Sequence, residues 1–415
     1  MKPINVISLA IGICALVTNC TQAPADLTSR LEVLDVETCE RTVVKEFPYL
    51  IEAPNWTQDG KWLIYNSKGK IYRLAADGSG EPERIETGVA EYCNNDHVLS
   101  PDGRMLAVSS GTSTDRRSRI FILPLEGGEA RLVTPEAPSY LHGWSPDGKT
   151  LAYCAERNGE FDVYTIDADP SSGAVEKRLT TEPGLDDGPE YSPDGRYIWF
   201  NSVRSGLMQL WRMGADGSDP RMMTDHPDRN AWFGHVSPDG NRVAYITYHK
   251  GDLEPEQHLS NRNVELWMLP AEGGEPVRLI WLFGGQGSFN VNSWAPDSRH
   301  LAFVSYSVRG QEFPTLEVPE FRELISRDGV QLLDVRTAKE YAAGHIPGAA
   351  NVDFRSRDFL DSVLATFDPE KPLAIYCRSG IKSVSAAGKL VAAGFVVYNL
   401  GDGFLAWQAD DQPVD

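Results

Sequence analysis

The residues of this 415-residue chain that could do chemistry lie in two places. The first is Cys377, which ends the apolar run "PLAIYC" and opens the loop "CRSGIKS". The run predicts a strand buried on both faces, and "KSVSAAGKLVAAG" predicts a helix that ends at Gly394. A thiol between a buried strand and a helix N-terminus meets backbone N–H groups that favour an anion. This placement predicts an activated sulfur nucleophile.

The loop after the cysteine suits an anionic substrate. Small Ser379 and Gly380 allow successive N–H groups to turn inward, while Arg378 and Lys382 add positive charge. An inert core cysteine is the alternative, because a lone cysteine at a strand end is often buried for packing. We predict Cys377 as the catalytic residue and the six residues after it as the substrate-binding loop: Arg378, Ser379, Gly380, Ile381, Lys382 and Ser383.

The second place is a set of histidines, His97, His142 and His235, each two or three residues before a Ser-Pro-Asp-Gly turn. Side chains at equivalent positions of a repeat can converge, and three imidazoles suit a divalent metal as cofactor. The alternative is that they hydrogen-bond between strands or to channel water, and both interpretations stay open. Further candidate ligands are Glu190 at the equivalent place in another repeat unit, Asp96 and Asn292 nearby, and Gln286 at the channel mouth.

These turns belong to a sixfold repeat. Segments such as "VLSPDGRMLAV" and "EYSPDGRYIWF" recur at intervals of about 43 to 58 residues, the length of a four-stranded propeller blade. The longest interval contains the insertion "HKGDLEPEQHLSNRN". Each Pro-Asp-Gly turn leads into a strand whose apolar residues alternate with polar ones, which predicts half-buried strands. The six turn aspartates are Asp59, Asp102, Asp147, Asp194, Asp239 and Asp297.

The repeat predicts how the propeller closes. The sixth unit stops after two strands, near Tyr306, and "LEVLDVETCERTVV" at Leu31 to Val44 has the missing strand-turn-strand pattern. Pairing these segments completes a sixth blade and leaves no open sheet edge. The sequence therefore predicts an all-β six-bladed propeller.

After Tyr306 the pattern alternates strand and helix, which predicts an α/β domain. "PEFRELISRDG" predicts a helix ending at Gly329, and "VQLLDV" and "FVVYNL" predict strands. The chain is thus predicted to be multidomain, with boundaries at 1–20 for a signal peptide, 21–308 for the propeller and 309–415 for the α/β domain.

The N-terminus predicts export. Lys2 precedes an apolar run that ends in Val17-Thr18-Asn19-Cys20, which resembles a bacterial lipoprotein signal. The resemblance implies lipidation of Cys20 and a protein on the periplasmic side of the cell envelope, with a lipid anchor as its membrane contact. Ordinary secretion is the alternative. The net charge of −20 argues against nucleic acid as a partner.

The Ser-Pro-Asp-Gly repeats resemble those of TolB-like propellers over residues 30–306. Such propellers mostly bind partners or ligands, so the resemblance implies a protein partner on the propeller. A propeller lyase acting on oligogalacturonate, which is distantly similar, has a histidine-based metal site of the general kind considered above.

The C-terminal motifs resemble the rhodanese family. "LLDVRTAKEYAAGHIPGAAN" contains Asp334, Arg336 and Glu340, "YCRSGIKS" matches the active-site loop, and "NLGDGFLAW" matches the closing segment. Asp334, Arg336 and Glu340 are expected to be structural, with Arg336 and Glu340 forming an ion pair under the loop; contact of Arg336 and Glu340 with the substrate is the alternative. Two positions depart from the family: Lys382 replaces an arginine and Asp402 replaces a glycine.

The resemblance implies that Cys377 takes sulfur from a donor such as thiosulfate, holds it as a persulfide and passes it to cyanide or a thiol, without a cofactor. The loop length agrees with sulfur transfer rather than phosphate chemistry. A phosphatase of this layout needs an arginine six positions after the cysteine, and Ser383 occupies that position here. We therefore predict a sulfurtransferase or persulfide carrier outside the cytoplasm, with the propeller as a docking platform. The alternatives are a metal-dependent enzyme or ligand-binding activity in the propeller channel, and a non-catalytic envelope scaffold.

Overall fold

The computed structural model describes residues 27–173, 175–308 and 313–415. The predicted signal segment 1–20 and its lipidation residue Cys20 lie outside the described residues. No helix in the described ranges is long and apolar enough to cross a membrane.

The N-terminal part consists of antiparallel strands in chain order. The first two are β1 (Leu27–Asp35) and β2 (Arg41–Phe47). The first complete blade is β3 (Glu52–Trp56), β4 (Trp62–Ser67), β5 (Lys70–Ala75) and β6 (Glu83–Ile85). The second is β7 (Tyr92–Leu99), β8 (Met105–Gly111), β9 (Arg119–Pro124) and β10 (Arg131–Leu132).

Three further blades repeat this pattern. The third is β11 (Ser139–Trp144), β12 (Thr150–Arg157), β13 (Glu160–Asp167) and β14 (Lys177–Arg178). The fourth is β15 (Asp186–Tyr191), β16 (Tyr197–Ser202), β17 (Gln209–Gly214) and β18 (Arg221–Met222). The fifth is β19 (Arg229–Val236), β20 (Arg242–His249), β21 (Arg262–Pro270) and β22 (Val277–Gly284). Short 3-10 helices lie at Pro170–Ser172 and Gln286–Ser288.

The sixth blade closes the ring with strands from both ends of the repeat region. The last propeller strand, β23 (His300–Val308), pairs antiparallel with β1, so that Leu31 faces Val304 and Leu34 faces Leu301. The sheet order is β2-β1-β23, and a bridge between Trp294 and Leu301 takes the place of a regular innermost strand. The predicted six-bladed propeller with a shared last blade is therefore confirmed.

The repeat places the same residues in the core of every blade. Asp102 shows the function of the turn aspartates: its Oδ1 accepts hydrogen bonds from Ser100 Oγ at 2.6 Å and from the Arg104 N–H at 3.0 Å. The aspartates therefore stabilise turns. The strand after each turn carries two buried apolar columns between blades. Their members are Leu63, Leu106, Leu151, Ile198, Val243 and Leu301, and Tyr65, Val108, Tyr153, Phe200, Tyr245 and Phe303.

The C-terminal part is an α/β domain around a parallel sheet. In chain order its elements are β24 (Thr315–Leu316), α1 (Val318–Ile325), β25 (Gln331–Asp334), α2 (Ala338–Ala342), β26 (Ala350–Asn351), α3 (Phe359–Thr366), β27 (Leu373–Tyr376), α4 (Ile381–Ala392), β28 (Val397–Leu400) and α5 (Gly403–Ala409). The sheet order is β24-β28-β27-β25-β26. Helix α1 ends at Ile325, four residues before the predicted Gly329.

Strand β27 lies at the centre of this sheet, and alternate residues face its two sides. Leu373 and Ile375 pack in a cluster with residues of α3 and α4, whereas Ala374 and Tyr376 pack with residues of α1 and α5. Both faces are thus covered, as expected for a parallel sheet. This core fixes the end of β27, where Cys377 follows.

Candidate active site around Cys377

Cys377 lies at the C-terminal end of the central parallel strand, the edge of an α/β sheet where ligands usually bind. Its exposed fraction is 1 %, and one side of it packs in the apolar cluster with Leu333 and Val335. On the polar side, Ser383 Oγ lies 3.6 Å from Sγ and 2.8 Å from the Gly380 carbonyl. The sulfur therefore sits at a boundary between the core and the polar loop.

The loop leads directly into helix α4. Gly380 is the N-cap with a φ of +82°, and the Val384 N–H donates to the Gly380 carbonyl at 3.2 Å. The N–H groups of Ile381, Lys382 and Ser383 precede that bond, so their position in the helix gives them no intrahelical acceptor. Such groups carry partial positive charge and can stabilise an anion. The sequence thus places the thiol beside the anion-binding end of a twelve-residue helix.

A second segment supports the loop from behind. A Cβ placed on Gly380 would lie 1.4 Å from the Gly401 carbonyl oxygen, and one on Gly403 would lie 2.5 Å from the Cys377 carbonyl oxygen. The Phe404 N–H donates to that Cys377 carbonyl at 2.8 Å, and the Leu405 N–H donates to the Arg378 carbonyl at 3.0 Å. Residues 401–405 therefore hold the backbone of the loop in place.

Arg336 and Asp334 form a buried ion pair under the site. The Arg336 guanidinium contacts both Asp334 carboxylate oxygens at 2.6 to 3.0 Å and donates to the Gly344 carbonyl at 2.7 Å. It also lies 4.0 Å from the centre of the Phe404 ring. Burial lowers the pKa of Arg336, but its bonds to Asp334 outweigh burial and raise it overall. This pair links the strand β25 to the segment that supports the loop.

Glu340 has a different function from the one expected. Its carboxylate accepts bonds from the Thr337 N–H at 3.0 Å and from Thr337 Oγ1 at 2.6 Å, which makes a capping box at the start of α2. Burial raises the pKa of Glu340, but the bonds from Thr337 lower it overall. The expected Arg336–Glu340 ion pair is wrong, because Arg336 pairs with Asp334 while the Glu340 carboxylate bonds to Thr337.

The propeller approaches the site through blade 5. Helix α4 lies against β21, and a cavity of about 440 Å³ between the domains is lined by Arg229, His249 and Arg278 from the propeller and by Asp402 from the C-terminal domain. Arg278 pairs with Asp402, donates to Glu317 at 3.0 Å and lies 3.4 Å from Glu265. Burial, and then the Glu265 carboxylate, raise the pKa of Asp402 to about 6.

His249, Glu265 and Asp402 are the one trio in the described ranges whose ligand atoms all lie within 4.8 Å of one another. The Arg278 guanidinium contacts both carboxylates of this trio, and Arg229 contacts Glu265 at 2.7 Å. Arginine stays protonated in proteins. Since a cation is already bound to these carboxylates, the trio does not fit a metal ion.

The three predicted channel histidines are separated into different contacts. His142 Nε2 lies 3.2 Å from Asp187, and His235 Nδ1 lies 2.7 Å from Glu190. His97 is fully buried with no partner for either ring nitrogen among the described residues, and burial lowers its pKa to about 3. The structure therefore does not bring the three together as one ligand set, and metal binding by them stays a prediction.

Other candidate ligands take part in the same polar network. Asn292 donates to Glu190 at 2.8 Å, and Asn290 donates to Asp96 at 2.6 Å. Sequence analysis missed Asp187 and His258, whose Nε2 lies 3.7 Å from Asp187. His258 belongs to the insertion in blade 5, and its ring packs 4.4 Å from that of Trp232. The insertion could have drawn attention to it, although nothing in the sequence indicates that the loop folds back over the channel.

Fold and site together define a two-domain protein, in which a six-bladed propeller is joined to a rhodanese-type domain. Family comparisons agree with both halves. Residues 136–276 match the TolB beta propeller domain (PD40), and residues 317–410 match the rhodanese-like domain.

Known proteins resemble each half separately. An uncharacterized protein of Agrobacterium fabrum is 44% identical over 280 residues, which cover 68% of this chain and 93% of that protein. A solved TolB-type structure from Agrobacterium tumefaciens is 45% identical, covers 68% of this chain and 99% of its own, and superposes with a TM-score of 0.64. Thiosulfate sulfurtransferase 18 of Arabidopsis thaliana is 32% identical over 124 residues, covering 27% of this chain and 90% of that protein. The chain therefore belongs to the TolB-like propeller family and carries a C-terminal domain of the rhodanese family.

Proposed function

We propose that the chain is a rhodanese-type sulfurtransferase or persulfide carrier that acts outside the cytoplasm, with its propeller as a docking platform for a protein partner. The observation that carries this proposal is the position of Cys377, which ends the central strand beside the first, intrahelically unbonded N–H groups of α4. The likeness to a thiosulfate sulfurtransferase over 124 residues, which cover 90% of that protein, supports the same chemistry.

The proposed reaction has two displacements at sulfur. The Cys377 thiolate attacks the outer sulfur of thiosulfate and forms a new S–S bond, while sulfite leaves with the electron pair of the old S–S bond. Cyanide or a thiolate then attacks the outer sulfur of the persulfide and restores the Cys377 thiolate. Each step exchanges one bond to sulfur for another, so the cycle needs no cofactor.

The surrounding residues have separate functions in this proposal. The exposed Arg378 and the half-buried Lys382 bind the anionic donor. Backbone N–H groups from Ser379 to Ser383 stabilise the charge on the outer sulfur. Asp334 and Arg336 hold the backbone underneath, so their contribution is one of position.

Thiosulfate:cyanide transfer by the purified full chain tests the proposal. We expect turnover that Cys377→Ser abolishes and that Cys39→Ser leaves unchanged, since Cys39 is an exposed free cysteine in the propeller. Equal turnover by the wild type and Cys377→Ser would refute the proposed nucleophile. Absence of turnover in all three, together with slow alkylation of Cys377, would favour the non-catalytic scaffold instead.

The proposed location rests on the N-terminal segment, whose charge, apolar run and Cys20 resemble a lipoprotein signal. We expect a mature chain that begins at a lipidated Cys20 and stays with the periplasmic side of the membrane. Labelling with a radioactive fatty acid tests this. Loss of the label in Cys20→Ser, with the label kept in Cys14→Ser, is the expected result, and a label that persists in Cys20→Ser would contradict it.

A second candidate function belongs to the propeller channel. His235 Nε2 and His258 Nδ1 are buried there without partners among the described residues, close to the Asp187 and Glu190 carboxylates. Nitrogen and oxygen donors of this kind suit a divalent transition metal or a small polar ligand. Elemental analysis of the protein purified without chelator tests the metal. A stoichiometric metal that is lost on combining His142→Ala, His235→Ala and His258→Ala supports it, and metal-free protein refutes it.

A further inference from the structure

Asp402 stands in the middle of the segment that touches the catalytic loop. Its neighbours are Gly401 and Gly403. A Cβ placed on Gly380 would lie 1.4 Å from the Gly401 carbonyl oxygen, and a Cβ placed on Gly403 would be too close to the Cys377 carbonyl oxygen. Glycine on both sides lets two backbones approach closely. Any displacement of residue 402 is therefore passed to the backbone on which Cys377 is held.

The Asp402 side chain points away from the loop toward the propeller. It is 7 % exposed and pairs with Arg278 in β22 of blade 5. The same guanidinium donates to Glu317, just before α1, at 3.0 Å and lies 3.4 Å from Glu265 in the neighbouring strand β21. One propeller cation therefore joins two carboxylates of the C-terminal domain to a buried carboxylate of the propeller.

We infer that Arg278 of the propeller is a positioning residue for the sulfur-transfer site, holding Asp402 and, through residues 401–405, the loop that contains Cys377. This inference rests on the proposed function of that site. It gives blade 5 a positioning function in the reaction, in addition to docking a partner. Arg278 touches none of the reacting atoms, and its effect reaches the sulfur only through the backbone.

The charge balance explains why this position needs a cation. Without the Arg278 guanidinium, the buried Asp402 carboxylate would lose its arginine partner and face the buried Glu265 carboxylate, which would keep its pair with Arg229. Like charges in a poorly solvated site repel strongly, because little water screens them. Glu265 lies within strand β21, whereas Asp402 lies in the turn just before α5, so we expect Asp402 to move in response to the repulsion. That movement would displace the segment behind Cys377.

Other contacts bring the same blade to the same loop. Helix α4, whose N-terminus forms the anion site, lies against β21. In the blade-5 insertion, burial raises the pKa of Asp252 to about 6, while the nearby charges of His249 and Lys382 act to lower it. A carboxyl of the propeller therefore lies close enough to Lys382 to sense its charge. Blade 5 thus borders the substrate loop as well as its supporting segment.

The test compares full-length variants in the thiosulfate:cyanide assay and in hydrogen exchange. Arg278→Met removes the charge and keeps most of the length, Arg278→Lys keeps the charge, and Asp402→Asn removes the other partner. Arg221→Met is the matched control, because Arg221 is an exposed propeller arginine paired with Asp219 in blade 4. Exchange of the β21 and β22 amides shows whether the blade itself stays folded.

We expect Arg278→Met to lower kcat by about 10- to 100-fold with KM changed less than about threefold, since a displacement of ~1 Å near the chemistry can cost about 100-fold. Exchange of the Phe404 and Leu405 amides should accelerate in the same variant. Arg278→Lys should recover part of both effects. Combining Arg278→Met with Asp402→Asn should be no worse than the more damaging single change, because both act through one contact.

Wild-type kcat and wild-type exchange at residues 404 and 405 in Arg278→Met would overturn the inference. Equal damage from Arg221→Met would also overturn it, since the effect would then come from lost surface charge. If the wild type transfers no sulfur, the proposed function fails. The exchange comparison still decides whether Arg278 holds the segment, so the two failures are distinguishable.

Discussion

Replacing Gly380 by alanine should damage the site more than any change of similar size elsewhere in the domain. Gly380 has a φ of +82°, and a Cβ there would lie 1.4 Å from the Gly401 carbonyl oxygen. An ordinary contact begins near 3.4 Å, so the two backbones must separate by about 2 Å. Neither backbone can move freely, because residues 401–405 are bonded to the loop.

The magnitude follows from two contributions. A non-glycine residue in the left-handed conformation costs about 1–2 kcal/mol, and overpacking against a rigid neighbour costs about 1–3 kcal/mol more. Gly380→Ala should therefore lower the free energy of unfolding of the C-terminal domain by about 2–5 kcal/mol. Gly329→Ala is the matched control: its φ is +84° and nothing lies within 4 Å of its Cβ position, so it should cost only the first contribution.

The assay is hydrogen exchange of peptides from β27 and α4 at increasing denaturant, which reports on this domain alone, combined with thiosulfate:cyanide turnover. Because the loop backbone must move by more than 1 Å, we expect kcat/KM to fall at least about 100-fold in Gly380→Ala. Gly329→Ala should keep near-wild-type turnover. Equal stability losses in the two variants, with turnover retained in Gly380→Ala, would refute the account of how the loop is held.

Three further predictions concern stability. Arg336→Met leaves the buried Asp334 carboxylate unpaired and should cost about 3–5 kcal/mol in chemical unfolding, against less than about 1 kcal/mol for Arg327→Met, whose pair with Glu323 is exposed. Similar losses would contradict the buried pair. Burial lowers the pKa of His97 to about 3, below its unfolded value of 6.5, so the unfolded chain binds more protons and stability falls as pH decreases from about 6.5 to 3. His97→Gln should remove about 2 kcal/mol of the stability difference between pH 6.5 and 4.5, and an unchanged pH dependence in His97→Gln would argue against a buried neutral imidazole. Leu31→Ala, in the strand that closes the propeller, should cost about 2–5 kcal/mol, while the exposed Val43→Ala should stay within about 0.5 kcal/mol; a small effect at Leu31 would argue against the shared sixth blade.

The propeller could be predicted because its determinants are local and repeated. A turn centred on an aspartate and an alternating strand lie within about a dozen residues of each other, and six copies, four of them with Pro-Asp-Gly, give the same signal. The missing outer strands of the last unit required pairing across the chain. That pairing was predictable because the last repeat unit lacks its outer strands and the N-terminal segment contains an unpaired strand-turn-strand pattern. The position of Leu31 opposite Val304 confirms it.

Several elements of the C-terminal domain gave no comparable signal. Strands β24 and β26 have two residues each, too few to show alternation, and α2 has five residues, too few for a helical period. The prediction of the partner of Arg336 was also wrong. Asp334, two positions before Arg336, and Glu340, four positions after it on α2, are both close enough in sequence to pair with it. Only the backbone conformation decides between them.

Contacts between distant segments were beyond prediction from one sequence. Arg278 and Asp402 are 124 positions apart, and neither lies in a repeat that would relate them. Asp402 was noticed as a departure from the rhodanese pattern, but its partner is set by how the two domains pack. His258 and Asp187 likewise meet only because the insertion in blade 5 folds over the channel.

The account depends most on one property of Cys377, its capacity to accept sulfur and hold it. Mass spectrometry of the intact chain after incubation with thiosulfate, followed by peptide mapping, measures this directly. We predict a gain of one sulfur atom on Cys377, its removal by cyanide as thiocyanate, and no gain in Cys377→Ser. An unmodified Cys377, or sulfur on Cys39 alone, would contradict the central claim.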